Sequence, residues 1–318
     1  MTKKVQPAVQ EKFKTMIGGQ ALIEGIMMLG PDKRAIVVRG KDGLVTKVEP
    51  MPSSTGQKPV YRWPFVRGVF QFGRSMLYGV KALMYSADLS PEMQEENPSK
   101  FDLWLEKRLG SEKFQKFLIS MAAVMGIGFS ILLFILLPAF LVELLSGVIS
   151  SYLVRNLLEG VIRLGIYFAY MFLISRMKEM RRVFSYHGAE HKTIRCYEAK
   201  LPLTVENVRK QTRLHPRCGT SFLFVVMAIS ILVYAVVRLS NPFLRLLLRL
   251  VLLPVIVGIS YEINRWVGRH DNKLSRILTA PGMWFQNFTT CEPDDSMIEV
   301  GIAALTAVLP EQEGADRW

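Results

Sequence analysis

Four long apolar runs dominate the pattern of hydrophobic and polar positions along the chain. They cover Phe117 to Leu145, Leu157 to Ser175, Phe222 to Val237 and Phe243 to Ser260. A helix that crosses a hydrocarbon core of about 30 Å needs roughly 20 mostly apolar residues, so each run is a candidate membrane span. The short links within each pair predict two transmembrane hairpins. Pro138, near the end of the longest run, predicts a kink or a strong tilt there.

The pattern ahead of these runs is typical first of strands and then of a helix. The segments RAIVVRG and LVTKVEP flank two glycines, which predicts a hairpin, and residues 18–28 add a further strand and turn. From Pro64 to Ala87, basic residues recur every seven positions opposite a broad apolar face. This pattern fits a helix in the lipid headgroup region or a helix packed on the rest of the protein, and both interpretations stay open.

Beyond the last apolar run, the pattern predicts a helix, a loop and a second helix. The first helix covers Tyr261 to Leu278, and the loop covers Pro281 to Pro293. Asp294-Asp295-Ser296 predicts the cap of a short helix that ends near Leu309.

Composition and charge favour a membrane protein with its larger segments in the cytosol. Half of the 318 residues are hydrophobic and only 21% are charged, which excludes a disordered chain. Three scattered cysteines cannot form a disulfide framework, so we expect reduced thiols, and nothing after the basic N-terminus indicates a cleaved signal peptide. Residues 176–221 hold eleven lysines and arginines against four acidic residues, which predicts a cytosolic segment and, with four spans, two cytosolic termini. The basic segments lack the interleaved aromatic residues that favour specific nucleic-acid binding.

The chemistry of the chain is concentrated in the sequence HGAEH, which contains two of its four histidines. His187 and His191 are four residues apart and share one face of a helix, a spacing with which two imidazoles can bind one zinc ion. Glu190 beside them is a candidate general base for hydrolysis. The sequence fits the H-x-x-E-H pattern of inverzincin metallopeptidases.

A second cluster, HPRCGTS, directly precedes the third apolar run. His215 and Cys218 lie in it, and imidazole and thiolate are preferred zinc ligands, so either could complete the set. Glu262, at the end of the fourth run, is a carboxylate candidate. Two alternatives stay open: a polar network that fastens the loop to the helices, and a nucleophilic Cys218 activated by His215.

Charged residues within the apolar runs are interpreted as structural. Glu159 and Arg163 can neutralise each other, and Glu143 is a candidate partner for Arg245 and Arg249. We expect these side chains to reach the headgroups near the outer helix ends, so no transport path is inferred.

Several long motifs together resemble the bacterial membrane proteins known as domain of unknown function 1385. They are GGQALIEGIMM, WPFVRG, YHGAEHKTI, HPRCGTSF, Tyr261-Glu262 and PGMWFQNFTTCEPDD, and they span nearly the whole chain. The resemblance implies a bacterial inner-membrane location and the label "predicted metal-dependent enzyme". Its motif positions correspond to Gly19, Gln20, Glu24, His187, Glu190, His191, His215, Cys218, Glu262, Gln286, Thr289 and Thr290.

These observations predict a mainly α membrane protein with four transmembrane helices in two hairpins and a small cytosolic β domain. Its segments are 1–62 (β-rich), 63–116 (amphipathic or interfacial helices), 117–175 (first hairpin), 176–221 (His/Cys segment), 222–260 (second hairpin) and 261–318 (cytosolic C-terminal region). The leading hypothesis is a metal-dependent hydrolase with a divalent ion, zinc first. The alternative is a non-enzymatic scaffold or assembly factor that contacts the lipid bilayer and a membrane complex or translocation machinery. A transporter ranks third.

Overall fold

A four-stranded antiparallel sheet forms the N-terminal part of the protein. The computed structural model describes residues 13–51, 59–90, 110–145, 147–237, 239, 241–312 and 314–317. Its strands pair in chain order: β1 (Gly18–Leu22), β2 (Gly25–Leu29), β3 (Lys33–Gly40) and β4 (Gly43–Pro50). Gly40 faces Gly43 across the β3–β4 turn, which confirms the predicted hairpin. The basic N-terminal residues 1–12 and most of the segment between residues 90 and 117 lie outside the described residues.

Ten α-helices are described beyond the sheet. They are α1 (Val66–Leu89), α2 (Ser111–Ile131), α3 (Leu137–Glu143), α4 (Tyr152–Ile174), α5 (Lys178–Glu198), α6 (Val205–Arg209), α7 (Gly219–Ala235), α8 (Pro242–Arg269), α9 (Lys273–Thr289) and α10 (Asp295–Val308). The Asp294 side chain accepts a hydrogen bond from the Met297 N–H, which confirms the predicted cap of α10.

The sheet is the middle layer between helices from distant parts of the chain. Alternate residues such as Met28 and Val37 pack on one face against α5 and α10, whereas Met27 and Ile36 pack on the other face with Ala82 of α1. Side chains alternate between the two faces of a strand, so apolar residues on both faces require a covered sheet. The small β domain is therefore a three-layer unit that includes helices from later in the chain.

Three described helical segments are long and apolar enough to cross a membrane. They are Val124–Glu143, Tyr152–Ile174 and Phe243–Arg269. The helix α7 is also apolar, but its 17 residues extend only about 26 Å at 1.5 Å per residue. The mainly helical character is confirmed, and the layout of four spans in two hairpins stays a prediction. A π-helical turn, Leu132–Leu136, lies directly before Pro138 at the start of α3, in the region where an irregularity was predicted.

Charged side chains within the apolar helices form a buried network instead of reaching outward. Glu159 binds Arg163 of its own helix at 2.7 Å, as predicted. It also binds Arg249 of α8 through both carboxylate oxygens. Glu159 and Arg249 are 2% and 5% exposed. The expectation that Glu143 pairs with Arg249 is therefore wrong, because helix packing brings Glu159 to that guanidinium.

The C-terminal helices differ from their predicted boundaries. The fourth apolar run continues as one helix to Arg269, and the next helix extends through Pro281 to Thr289 where a loop was predicted. Proline inside a helix costs about 3 kcal/mol. Here Phe285 is buried against Tyr167 and Phe168, and Gly282 contacts Ser221 closely, so the packing of α9 offsets that cost.

Candidate metal centre

The helix α5 presents HGAEH on the side that faces the start of α7 and the end of α9. Glu190 and His191 are buried, and His187 is partly buried. Gly188 reduces helix propensity, and the structure gives the reason for it. A Cβ atom at Gly188 would overlap the Cys291 carbonyl oxygen, so only glycine lets the segment after α9 approach the helix this closely.

His187 is held in one tautomer by a backbone carbonyl. Its Nδ1 atom lies 2.8 Å from the Thr289 oxygen, and because a carbonyl can only accept, Nδ1 carries the proton. With the proton on Nδ1, the Nε2 atom carries a free lone pair. This Nε2 atom lies 3.1 Å from the Sγ atom of Cys218. His187 therefore presents a ligand atom toward the thiol.

His191 has the same arrangement with a different carbonyl. Its Nδ1 atom donates to the Arg213 oxygen at 2.7 Å. Its Nε2 atom is buried and has no hydrogen-bond partner among the described residues. Burial lowers the pKa of His191 to about 4, so the ring is neutral at pH 7. The Nε2 atom is then unprotonated, and its lone pair is available to a ligand.

Cys218 completes a group of three ligand atoms. It is the N-cap residue of α7, and its Sγ atom accepts hydrogen bonds from the Thr220 hydroxyl and N–H. Burial acts to raise the pKa of Cys218 and the Thr220 donors act to lower it, and the pKa lies below its ordinary value. A helix N-terminus also favours thiolate.

The geometry of the three groups fits a zinc-sized ion. Ligand atoms of His187, His191 and Cys218 all lie within 4.8 Å of one another. A tetrahedral ion with bonds of about 2.0–2.3 Å separates its ligands by roughly 3.3–3.8 Å. Small side-chain movements would bring the three atoms to those distances.

Glu190 lies beside the group with one oxygen anchored. Its Oε1 atom accepts a hydrogen bond from the Gly19 N–H at 3.1 Å, while Oε2 is buried without a hydrogen-bond partner in the described part of the chain. Burial raises the pKa of Glu190 to about 7. Glu190, His191 and Cys218 line a cavity of about 90 Å³, well above the 10–15 Å³ or so that one water needs.

His215 is adjacent to the group but engaged elsewhere. Its ring centroid is 5.5 Å from that of His191, while its Nε2 atom lies 3.4 Å from Glu198 Oε2. Glu198 also binds Arg217 and the Thr15 N–H. Burial lowers the pKa of His215, and the Glu198 hydrogen bond acts in the opposite direction. Of the two candidates to complete the ligand set, the structure brings Cys218, and not His215, to the other two.

Glu262 lies in a different contact. Its carboxylate accepts a hydrogen bond from Arg67 Nε at 2.7 Å and a second one from the Phe65 N–H at 3.3 Å. It therefore joins the start of α1 to α8, and the structure does not bring it to the imidazoles.

The residue types in the motifs did not reveal the roles of several residues at the site. Arg213 and Thr289 act through backbone carbonyls, which any residue could supply. Gln286 is fully buried and bonds both the N–H and the carbonyl of His215, at 2.8 and 2.7 Å. A glutamine in a predicted loop gave no reason to expect this role, although the family resemblance includes it.

Glu24 fastens the sheet to α5 one turn before the site. It has a positive φ of 51° in the β1–β2 turn, which is uncommon for a residue with a side chain. Its buried carboxylate binds Arg182 and accepts a hydrogen bond from the Tyr186 hydroxyl at 3.1 Å. These contacts hold the turn in its conformation and fix the sheet edge beside Glu190.

Comparison with known proteins places the chain in a family. The profile described as "Protein of unknown function (DUF1385)" matches residues 63–311. The chain belongs to the DUF1385 family. It is 33% identical over 303 residues to "Uncharacterized protein YqhQ" of Bacillus subtilis (strain 168), with 94% of each chain covered. No solved structure matches the chain. The family resemblance drawn from the motifs is thereby confirmed, without an activity attached to it.

Proposed function

We propose that this DUF1385 member is a multi-pass protein of the bacterial inner (plasma) membrane with both termini in the cytosol. Three helices have the length and hydropathy of spans, and α7 would serve as a fourth. The excess of basic residues in 176–221 favours a cytosolic location for that segment. In this placement the His/Cys site lies at the membrane surface, because α7 begins directly after Cys218.

We propose further that His187, His191 and Cys218 bind a divalent metal ion. The observation that carries this proposal is the buried, unprotonated Nε2 atom of His191, which has no partner among the described residues. A buried polar atom left unpaired costs about 1–3 kcal/mol, and a bond to a metal removes that cost. Imidazoles that bind metals commonly have their other N–H held by a carbonyl, as both do here. Two imidazoles and a thiolate suit zinc best.

The chemistry that fits this set is hydrolysis. A bound divalent ion supplies Lewis acidity, which polarises a carbonyl or phosphoryl oxygen of the substrate. Glu190 serves as general base, because a carboxylate with a pKa of about 7 can take up and release a proton near neutral pH. The Gly19 N–H holds one carboxylate oxygen in place, and the adjoining cavity has room for the attacking water.

The test is the metal content of the full chain, purified in neutral detergent without chelator. We expect about one zinc ion per chain in the wild type and loss of most of it in His187→Ala, His191→Ala and Cys218→Ser. The matched control is His270→Ala, since this fourth histidine is exposed at the end of α8. Glu190→Gln should keep the metal but fail to complement a deletion strain. A wild type without stoichiometric metal, together with complementing variants, would contradict the proposal.

A non-enzymatic scaffold or assembly role is the second candidate, and α1 is the observation that favours it. This helix packs through small buried residues, Gly68, Gly79, Ala82 and Ser86. Its large apolar residues, including Phe70, Leu77 and Val80, are exposed. Such a face suits the lipid bilayer or a membrane complex such as translocation machinery. This role predicts that Leu77→Gln with Val80→Gln abolishes complementation while His187→Ala retains it, and Lys81→Gln on the same helix is the control.

A further inference from the structure

A second, larger cavity lies between α5 and the end of α8. We call it the basal cleft; its volume is about 670 Å³. One wall comes from α5 and the segments that follow it, and the other from the last turn of α8 and from α9. Its polar lining includes Lys14, Arg195, Arg217, Ser275, Arg276 and Thr279. None of the proposed metal ligands lines it.

The charges of the basal cleft do not balance. Four cationic side chains line it, against the carboxylates of Glu198 and Asp271. Glu198 is shared by Arg217, His215 and the Thr15 N–H, and Asp271 binds Arg276 at 3.0 Å. Within the described residues, Arg195 and Lys14 have no carboxylate within salt-bridge distance. An anion would therefore be attracted to this cleft.

Arg195 is a partly buried cation of the cleft with no carboxylate partner among the described residues. Its Nε–H donates to the Leu214 carbonyl oxygen at 2.6 Å, which fixes the guanidinium at the wall of the cleft. Burial lowers the pKa of Arg195, a sign that the cation has lost hydration without full compensation. The remaining guanidinium N–H groups form a planar fork, the geometry that matches two oxygens of a phosphate group.

The α9 wall is polar toward the cleft and indicates where the cleft opens. The hydroxyl residues Ser275 and Thr279 face the cleft, whereas Leu274, Ile277 and Trp284 on the other side of α9 are exposed. An exposed apolar stripe beside the end of a candidate span suits the interfacial region of a bilayer. In the proposed membrane placement, the basal cleft thus opens at the level of the lipid headgroups.

We propose that the basal cleft binds a phosphate-bearing anion, with an anionic phospholipid headgroup as the source that its position favours. The position rests on the proposed membrane placement, whereas the phosphate chemistry rests on the cations of the cleft, which are Arg195, Lys14, Arg217 and Arg276. Arg217 also lines the small cavity beside the metal candidates, so a phosphate-bearing molecule in the cleft lies next to that site. Phosphate binding itself requires no metal.

The experiment measures binding to the chelator-treated full chain in neutral detergent by native mass spectrometry. The probes are phosphatidylglycerol, phosphatidylcholine and glycerol 1-phosphate. We expect phosphatidylglycerol to bind and the double variant Lys14→Gln, Arg195→Gln to weaken it roughly tenfold or more, the effect of losing a charge-assisted hydrogen bond. Lys14→Gln with Arg276→Gln is a second variant that leaves the Arg195–Leu214 bond intact. The control, Lys41→Gln with Lys210→Gln, removes the same charge from exposed positions outside the cleft.

The pattern of binding distinguishes the source of the phosphate. Binding of phosphatidylglycerol without binding of glycerol 1-phosphate assigns the lipid headgroup. Binding of glycerol 1-phosphate that competes with the lipid supports the phosphate site and assigns a soluble source. Equal weakening in the cleft and control variants, or no binding of any probe, overturns the proposal. A chain that carries no metal after purification without chelator, and whose chelator-treated form binds phosphate in this way, defeats the proposed metal site and supports the basal cleft.

Discussion

The Nε2 atom of His187 lies 3.1 Å from the Sγ atom of Cys218, although 31 residues separate the two along the chain. The imidazole comes from the middle of α5, and the thiol caps the first turn of α7. Each group is fixed independently, His187 by the Thr289 carbonyl and Cys218 by Thr220. Groups held this way need little rearrangement to bind an ion, which is the condition for a preorganised site.

The partly buried carboxylate of Glu198 predicts a pH-dependent stability. Burial acts to raise its pKa, but the hydrogen bond from His215 and the charge of Arg217 outweigh it and hold the pKa below the ordinary value of 4.5. Because the folded-state pKa is lowered, the stabilisation is present above pH 4.5 and is lost as the pH falls. We expect Glu198→Gln to cost about 3 kcal/mol at pH 7.5 and clearly less at pH 4, measured by thermal unfolding in detergent.

The control for Glu198 is Glu206→Gln on α6. This residue also pairs with a cation, Lys210 at 2.6 Å, but both side chains are exposed. Exposed pairs contribute little, so no measurable change is expected at either pH. A Glu198 variant as stable as wild type at pH 7.5 would refute the assigned role.

The Glu159 network predicts a strong effect within the apolar helices. Glu159→Gln would leave the buried Arg249 and the partly buried Arg163 without their countercharge, at a cost of about 3–5 kcal/mol. We expect loss of monodisperse protein in size-exclusion chromatography and a lower melting temperature. Glu143→Gln, an exposed carboxylate at the end of α3, should behave as wild type. Equal behaviour of the two variants would exclude the network as a determinant of stability.

Two Gly→Ala substitutions within helices should have opposite signs. At Gly188 the added methyl overlaps the Cys291 carbonyl oxygen, so we expect destabilisation and weaker zinc binding through displacement of the Thr289 segment. At Gly73 of α1 no atom lies within 4 Å of the added methyl among the described residues, so helix propensity alone should stabilise the protein by up to about 1 kcal/mol. Thermal unfolding and zinc content of both variants check the prediction. Destabilisation of similar size at both positions would argue against the close contact at Gly188.

The proposed orientation predicts which residues are accessible from outside the cell. A cysteine at Ser150, an exposed residue between α3 and α4, should react with an impermeant maleimide in intact cells. A cysteine at Lys210, exposed after α6, should react only after permeabilisation. The reverse pattern would invert the proposed topology.

The local pattern of the sequence was sufficient to predict the elements whose formation depends on interactions between residues close together in the chain. Alternation and paired glycines predicted β3 and β4, Asp294 predicted the start of α10, and long apolar runs predicted the candidate spans. The i, i+4 spacing of His187 and His191 placed both imidazoles on one helix face. Each of these features is decided within a few residues by hydrogen bonding or hydrophobicity.

Only the tertiary structure decided which distant groups meet. In the fold, Cys218 lies beside the two imidazoles, and Glu262 pairs with Arg67. The partner of Arg249 is Glu159 and not Glu143. The tertiary structure also kept α9 helical through Pro281, because burial of Phe285 outweighed a local preference. The groups that orient His187 and His191 are backbone carbonyls, which every residue type carries, so the residue type at those positions does not reveal them. Long-range packing selects such contacts, and the local sequence pattern carries no record of that selection.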